Sequence, residues 1–189
     1  LKADDIARYG ARAAADLAKA HLFALDSARP NALGGKRTNF YSAAAKSVEG
    51  PSVGGGLARV LITKIGLAQR WLGGVIKAGA GISSKTGVAA RYLAIPARSE
   101  AYGRAPSEFN DLSFIPTRRG GALVQALQTA VKYGKKGVKA GLEAGGLVMF
   151  WLVSQVTQRP DPSVMPTQEE FEGAVNLAVN DFVSRHLGT

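Results

Sequence analysis

Residues 147–187, LVMFWLVSQVTQRPDPSVMPTQEEFEGAVNLAVNDFVSRHL, set two hydropathic patterns side by side, and that juxtaposition decides the fold class. Leu147–Val156 is apolar on both faces, which fits a buried strand better than a one-sided helix. Pro166-Thr167 followed by Gln168-Glu169-Glu170 is a capping box. The Thr167 hydroxyl covers an orphan N–H of the first helical turn while the Glu170 carboxylate reaches back. Phe171, Val175, Ala178, Phe182 and Val183 then recur on one helical stripe as far as Gly188, so a helix closes the chain.

At the other end, residues 3–26 also predict a helix. Asp4 and Asp5 complement the positive end of its dipole, and alanine dominates its interior. Ile6, Tyr9, Ala13, Leu17, Ala20 and Ala24 form its expected apolar stripe, widened near the end by Leu22, Phe23 and Leu25, and Arg29-Pro30-Asn31 stops it. A shorter helix is expected over Thr38–Val48, capped by Thr38 or Asn39. Leu57–Thr63 has the β-branched density of a buried strand, and Gly66–Leu72 gives one or two helical turns closed by Gly73-Gly74. Val75–Lys77, Arg91–Ile95, Leu112–Ile115 and Gly121–Leu127 are short extended pieces, with Pro96 ending the second. The Gly/Ser/Ala-rich stretch 78–90 is a loop, and 128–146 reads as a long mobile basic loop. One α+β domain over residues 1–189 results: a small mixed or antiparallel sheet packed with an N-terminal and a C-terminal helix.

Composition narrows the chemistry. The 189 residues contain no cysteine, which removes disulfides, thiolate metal sites and cysteine nucleophiles. The two histidines, His21 and His186, stand far apart without the companions a metal would need. No Gly-x-Ser-x-Gly elbow occurs. Gly79–Thr86, GAGISSKT, approaches a phosphate-binding loop, but Ser84 stands where the glycine before Lys-Thr belongs. No catalytic residue, cofactor or metal is therefore expected, and the chain reads as a non-enzyme. The longest apolar run, Leu147–Val153, is far shorter than the ~20 residues of a spanning helix, so no membrane partner is expected. The opening LKADD lacks the basic and apolar regions of a signal peptide.

Charge carries more. Lys and Arg number 24 against 14 Asp and Glu, a formal net charge of +10. Residues 51–150 hold 14 bases and 4 acids, whereas 151–189 hold 2 bases and 5 acids. A basic middle and an acidic end fit either a polyanion partner or head-to-tail contact between copies. Lys132, Lys135, Lys136 and Lys139 could reach successive phosphates without sequence preference, and the scarcity of interleaved aromatics argues against base stacking. Gly34-Gly35-Lys36-Arg37-Thr38 is a second basic turn. Trp71 and Trp151 sit in apolar runs and are expected in the core or at a subunit interface.

Five stretches, taken in order, resemble the tailed-phage virion-morphogenesis proteins, the tail-completion or neck proteins. They are RPNALGGKRTNFY (29–41), IGLAQRWLGGVIKAG (65–79), RYLAIPARSEAYG (91–103), FIPTRRGGALVQ (114–125) and MFWLVSQVTQRPDPSVMP (149–166). In that group a basic helix start, a tyrosine-or-tryptophan edge followed by glycine, and an Ile-Pro-Ala-Arg turn succeed one another; here these are Arg37–Tyr41, Trp71–Gly74 and Ile95–Arg98. Where the group often continues with a further proline and an aromatic, this chain has Ser99 and Glu100. The resemblance implies a structural virion protein at the phage head–tail junction, a tail terminator or neck ring assembled in the bacterial host cytoplasm. Its partners would be copies of itself, commonly six, with the tail tube and head connector proteins, around a path through which DNA passes. Trp71, Ile95, Arg98, Arg118 and Arg119 are then candidate subunit-interface residues, and the four lysines a candidate DNA-path or assembly loop. The alternatives are a sequence-independent nucleic-acid-binding module and a small enzyme of unknown chemistry.

Overall fold

Helices occupy both ends of the chain and short antiparallel strands its middle, an α+β arrangement. The structure, a computed structural model, describes residues 2–29, 33–34, 37–79, 91–117, 120–125 and 146–187. The lysine loop with Lys132, Lys135, Lys136 and Lys139, the stretch 80–90 and the pair Arg118 and Arg119 lie outside them. The chain groups into two compact units. One comprises Leu1–Pro30, Asn39–Gly74 and Gln158–Thr189; the other comprises Asn31–Thr38 and Val75–Thr157.

In the first unit, α1 (Ala3–Ala28) packs on α2 (Phe40–Lys46), on the hairpin β1 (Ser52–Gly54) and β2 (Leu57–Arg59), and on α4 (Gln168–Leu187). Between them in sequence lies α3 (Leu67–Leu72). Ala15, Leu22, Tyr41, Ala44, Ala45, Val48, Leu67 and Val164 form the core. The buried face of α1 is shifted from the expected stripe: Leu22 is inside as expected, joined by Gly10, Ala15 and Ala18, whereas Ala20, Phe23 and Ala24 are exposed and Tyr9 is only partly covered, by the Phe182 ring. Close approach selects small residues there, since a Cβ on Gly10 would meet Val175 at 3.0 Å and Val179 at 3.3 Å.

The start of α2 shows long-range capping. Asn39 stands at its N-cap in the left-handed region (φ 52°), tolerable for asparagine, and makes no side-chain cap bond. The Asp26 carboxylate of α1 instead accepts the orphan Ser42 N–H at 3.1 Å. Leu57–Thr63 does not form a buried strand. Only Leu57–Arg59 is extended, in a two-stranded hairpin with no third strand, and Leu57 is 77% exposed. Ile62 rejoins the core through a bridge to Val48.

The capping box of α4 is present as expected. Thr167 N–H donates to Glu170 at 2.7 Å, and Glu170 N–H donates to the Thr167 hydroxyl at 3.2 Å. Those bonds hold the Glu170 carboxyl below its usual pKa, the Thr167 backbone N–H being the larger cause and its hydroxyl the next. Phe182 is buried.

The second unit contains β3 (Gly74–Lys77), β4 (Leu93–Pro96), β5 (Leu112–Thr117), β6 (Gly120–Gln125), β7 (Leu147–Val153) and β8 (Gln155–Gln158), the terminal residues Gly74 and Gln158 grouping with the first unit. β3 pairs with β8, and the others form a four-stranded antiparallel sheet in the order β4-β7-β6-β5. The single strand expected over Leu147–Val156 is broken at Ser154 into β7 and β8. Pro96 ends β4, as its last residue, whereas Pro116 lies inside β5. Both belong to edge strands, where a missing N–H costs no ladder bond. Gly120 sits opposite Val153 at φ 146°, and a Cβ there would stand 2.1 Å from the Leu152 carbonyl oxygen. Only glycine lets the two backbones approach so closely.

Candidate functional site

Residues directly opposite in an antiparallel ladder share a face of the sheet. The register lines up Ile95 (β4), Trp151 (β7), Ala122 (β6) and Ile115 (β5) in one row across all four strands. The adjacent row, Pro96, Phe150, Leu123 and Phe114, belongs to the opposite face. There Phe150 is 1% exposed and packs with Ala101, Phe109 and Leu123, its ring edge-on to Phe109 at 5.6 Å.

The Trp151 row is apolar and only partly covered: Ala122 is buried and Ile95 and Ile115 are half-buried, while Trp151 stands out of it. Trp151 is 47% exposed, which takes it out of the core of the single chain. A sheet with one face in water alternates apolar with polar residues, but β7 has no polar side chain from Leu147 to Val153. Its composition is that of a strand covered on both faces, and Ile95, expected at an interface, lies in the same row. Arg98 follows β4, its guanidinium 3.7 Å from Glu100, whose carboxyl is held below its usual pKa by its own backbone N–H, then the Ser99 hydroxyl, and more weakly by Arg98.

Trp71 lies in the first unit on α3, 42% exposed, so it too is outside the core. Beside it Leu72 is 64% and Ile65 91% exposed, and Ala68 is exposed as well. Sequence reasoning singled out Trp71 but missed that Ala68 and Leu72 bare the same side of this helix and that Ile65, in the turn before it, is exposed too.

A polar cluster in the first unit centres on Arg29. Arg29 donates to Asp161 at 2.6 Å, to the Tyr41 hydroxyl at 3.1 Å and to the Ser163 hydroxyl. Its pKa is raised, chiefly by the Asp161 bond, and that of Asp161 is lowered by Arg29 and then by Ser163. His21 Nε2 lies 3.0 Å from the Ser163 carbonyl oxygen. Arg70 stacks on Phe40 at 4.4 Å. Every charge in this group meets its opposite or an aromatic ring inside the protein, so the group ties α1 to the segment before α4 and presents no reactive atom. In the second unit, Arg37 and Thr38 of the basic turn line a polar cleft with Ser99, Glu100, Tyr102 and Arg104. Arg104 pairs with Glu108 at 3.4 Å and covers the Phe109 ring at 4.0 Å.

Among the described residues no group of three or more His, Asp or Glu is placed to hold a metal ion, and no helix is long and apolar enough to cross a membrane. The near-match GAGISSKT falls outside the described residues apart from Gly79. Comparison with protein families, with curated proteins and with solved structures finds no match for this chain.

Proposed function

We propose that this chain is a structural virion protein of the phage head–tail junction, a tail-completion or neck subunit that works as part of a homo-oligomeric ring. The observation that carries the reading is Trp151, 47% exposed in the apolar row Ile95–Trp151–Ala122–Ile115 on a sheet whose central strand β7 is apolar throughout. Such a face is stable in water only at a cost of about 25 cal/mol per Å² left uncovered, which favours a neighbour that covers it. The neighbour proposed is another copy of the chain. The resemblance of residues 29–166 to tail-completion proteins and the split of charge between a basic middle and an acidic end support this reading. Subunits in a ring meet through two different surfaces, which suits unlike charge on each.

In this role the protein performs no reaction. Its work is to close a ring between tail tube and head connector, leaving a path for DNA. Diffuse positive charge around that path attracts phosphates without binding any sequence.

The decisive experiment is light scattering of the purified chain together with immunogold electron microscopy of particles assembled in the host. The expected result is a multiple of the subunit mass and label confined to the junction of head and tail. A monomer at hundreds of micromolar, with no label on particles, would overturn it. Salt-sensitive binding of DNA by such a monomer would favour the nucleic-acid module instead.

A further inference from the structure

The six-residue helix α3 is held on one side and bare on the other. Leu67 is buried beneath it, Gln69 bonds its amide to the Gly73 carbonyl at 2.9 Å, and Arg70 stacks on Phe40. Ala68, Trp71 and Leu72 recur at the three- and four-residue steps that share one helical side, Ile65 precedes the helix in its entering turn, and all four are exposed. An exposed tryptophan among aliphatic side chains is the composition of a binding hot spot rather than of a solvated helix.

The chain on either side of this patch carries charge of one sign. Between Glu49 and Glu100 the chain contains no acidic residue, and Arg59, Lys64 and Arg70 flank the patch in sequence. Asp161 is brought beside α3 by its N–H, which donates to the Arg70 and Trp71 carbonyls, but its carboxylate is taken by Arg29.

The same unit carries a surface of opposite character. Along the outer side of α4, Glu169, Gly173, Leu177 and Asp181 follow one another at four-residue steps, all exposed, with Glu172 alongside. Leu177 is 74% exposed, and a Cβ on Gly173 would meet nothing within 4 Å. Asp181 pairs with Arg185 at 2.7 Å, and Glu172 accepts from Gln168 at 2.7 Å. This is a helix face with one large apolar side chain, a flat place beside it and acids at its start.

We infer that the bare side of α3 in one copy receives the outer side of α4 from the next copy. Leu177 enters among Ile65, Trp71 and Leu72, Gly173 lets the two helices approach, and Glu169 and Glu172 approach Lys64. Charge complementarity selects this occupant: the patch is apolar inside a basic surround, and α4 offers an apolar knob inside an acidic one. The contact joins two different surfaces, so where the α3 and α4 of one copy meet different neighbours it is head-to-tail and propagates until a ring closes. It rests on the ring reading above and names one of the surfaces that ring would use.

Leu72→Asp and Leu177→Asp test it, both at exposed positions where circular dichroism should show an unchanged fold. Each variant alone should run as a monomer in light scattering at a concentration where the natural chain is a multimer. Mixed in equal amounts they should form a dimer and nothing larger, because the intact α4 of the first meets the intact α3 of the second and the remaining two surfaces are disabled. Glu172→Lys should weaken assembly at least tenfold, and adding Lys64→Glu in the same chain should recover most of it. If both aspartate variants keep the natural mass, this contact is wrong and the ring stands on other surfaces. If Leu72→Asp is monomeric but Leu177→Asp assembles normally, α3 meets a different partner and the inference falls. A natural chain that is monomeric throughout removes both the contact and the ring.

Discussion

Phe150 and Trp151 are neighbours in β7 that face opposite sides of the sheet, and their truncation should separate folding from assembly. Phe150 is 1% exposed, so Phe150→Ala removes a fully packed ring and should cost about 3–5 kcal/mol. Trp151 is 47% exposed, so roughly half of its surface has nothing to lose, and Trp151→Ala should cost about 2 kcal/mol in the isolated subunit. Equilibrium urea unfolding of dilute protein measures both, as shifts of midpoint at constant slope. Of the two tryptophans, Trp71 can be replaced by phenylalanine to leave Trp151 as the sole reporter. Its emission should be red-shifted and quenched by acrylamide in the dilute subunit, then move to the blue and become protected at assembling concentrations. Equal costs for the two truncations, with Trp151 already shielded in dilute protein, would refute the open sheet face and the functional reading built on it.

Thr167→Ala should cost about 1 kcal/mol by removing the cap of α4. Because the Glu170 carboxyl lies below its usual pKa, its contribution is full above the unfolded-state value and is lost as pH falls through the folded one. Glu170→Gln should therefore flatten the acid side of the stability curve followed by urea midpoints. Gly120→Ala should destabilise by at least about 2 kcal/mol, since its φ of 146° and the Leu152 carbonyl both oppose a side chain. Gly173→Ala, with open space around it in a helix, should stabilise by about 0.5–1 kcal/mol in the same assay. Changing Lys132, Lys135, Lys136 and Lys139 together to glutamine should lower the salt dependence of DNA binding by up to about four phosphate equivalents if they line the DNA path. If the loop is an assembly arm, it should abolish joined particles and leave free DNA binding as it was.

Local chemistry was legible in the residues alone. The start of α4 follows from Thr167 and Glu170, three positions apart, and α1 from its alanine content and early aspartates. Short strands were foreseen close to β4, β5, β6 and β7 because β-branched runs between turn residues need no distant partner to be recognised. Tertiary structure decided what depends on distant partners. Strand order β4-β7-β6-β5 sets β7 between strands that precede it in the chain by different distances, and only that pairing shows that Ile95, Trp151, Ala122 and Ile115 share a face. The buried side of α1 was legible at Leu22 but not at Gly10, because hydropathy gives glycine no weight whereas the close approach of Val175 and Val179 demands it. Arg29 gave no signal, since its partner Asp161 is 132 residues away. Composition fixed the basic character of α3's surroundings, but folding alone left Ile65, Trp71 and Leu72 uncovered, because a six-residue helix has one side to bury and here it buries Leu67.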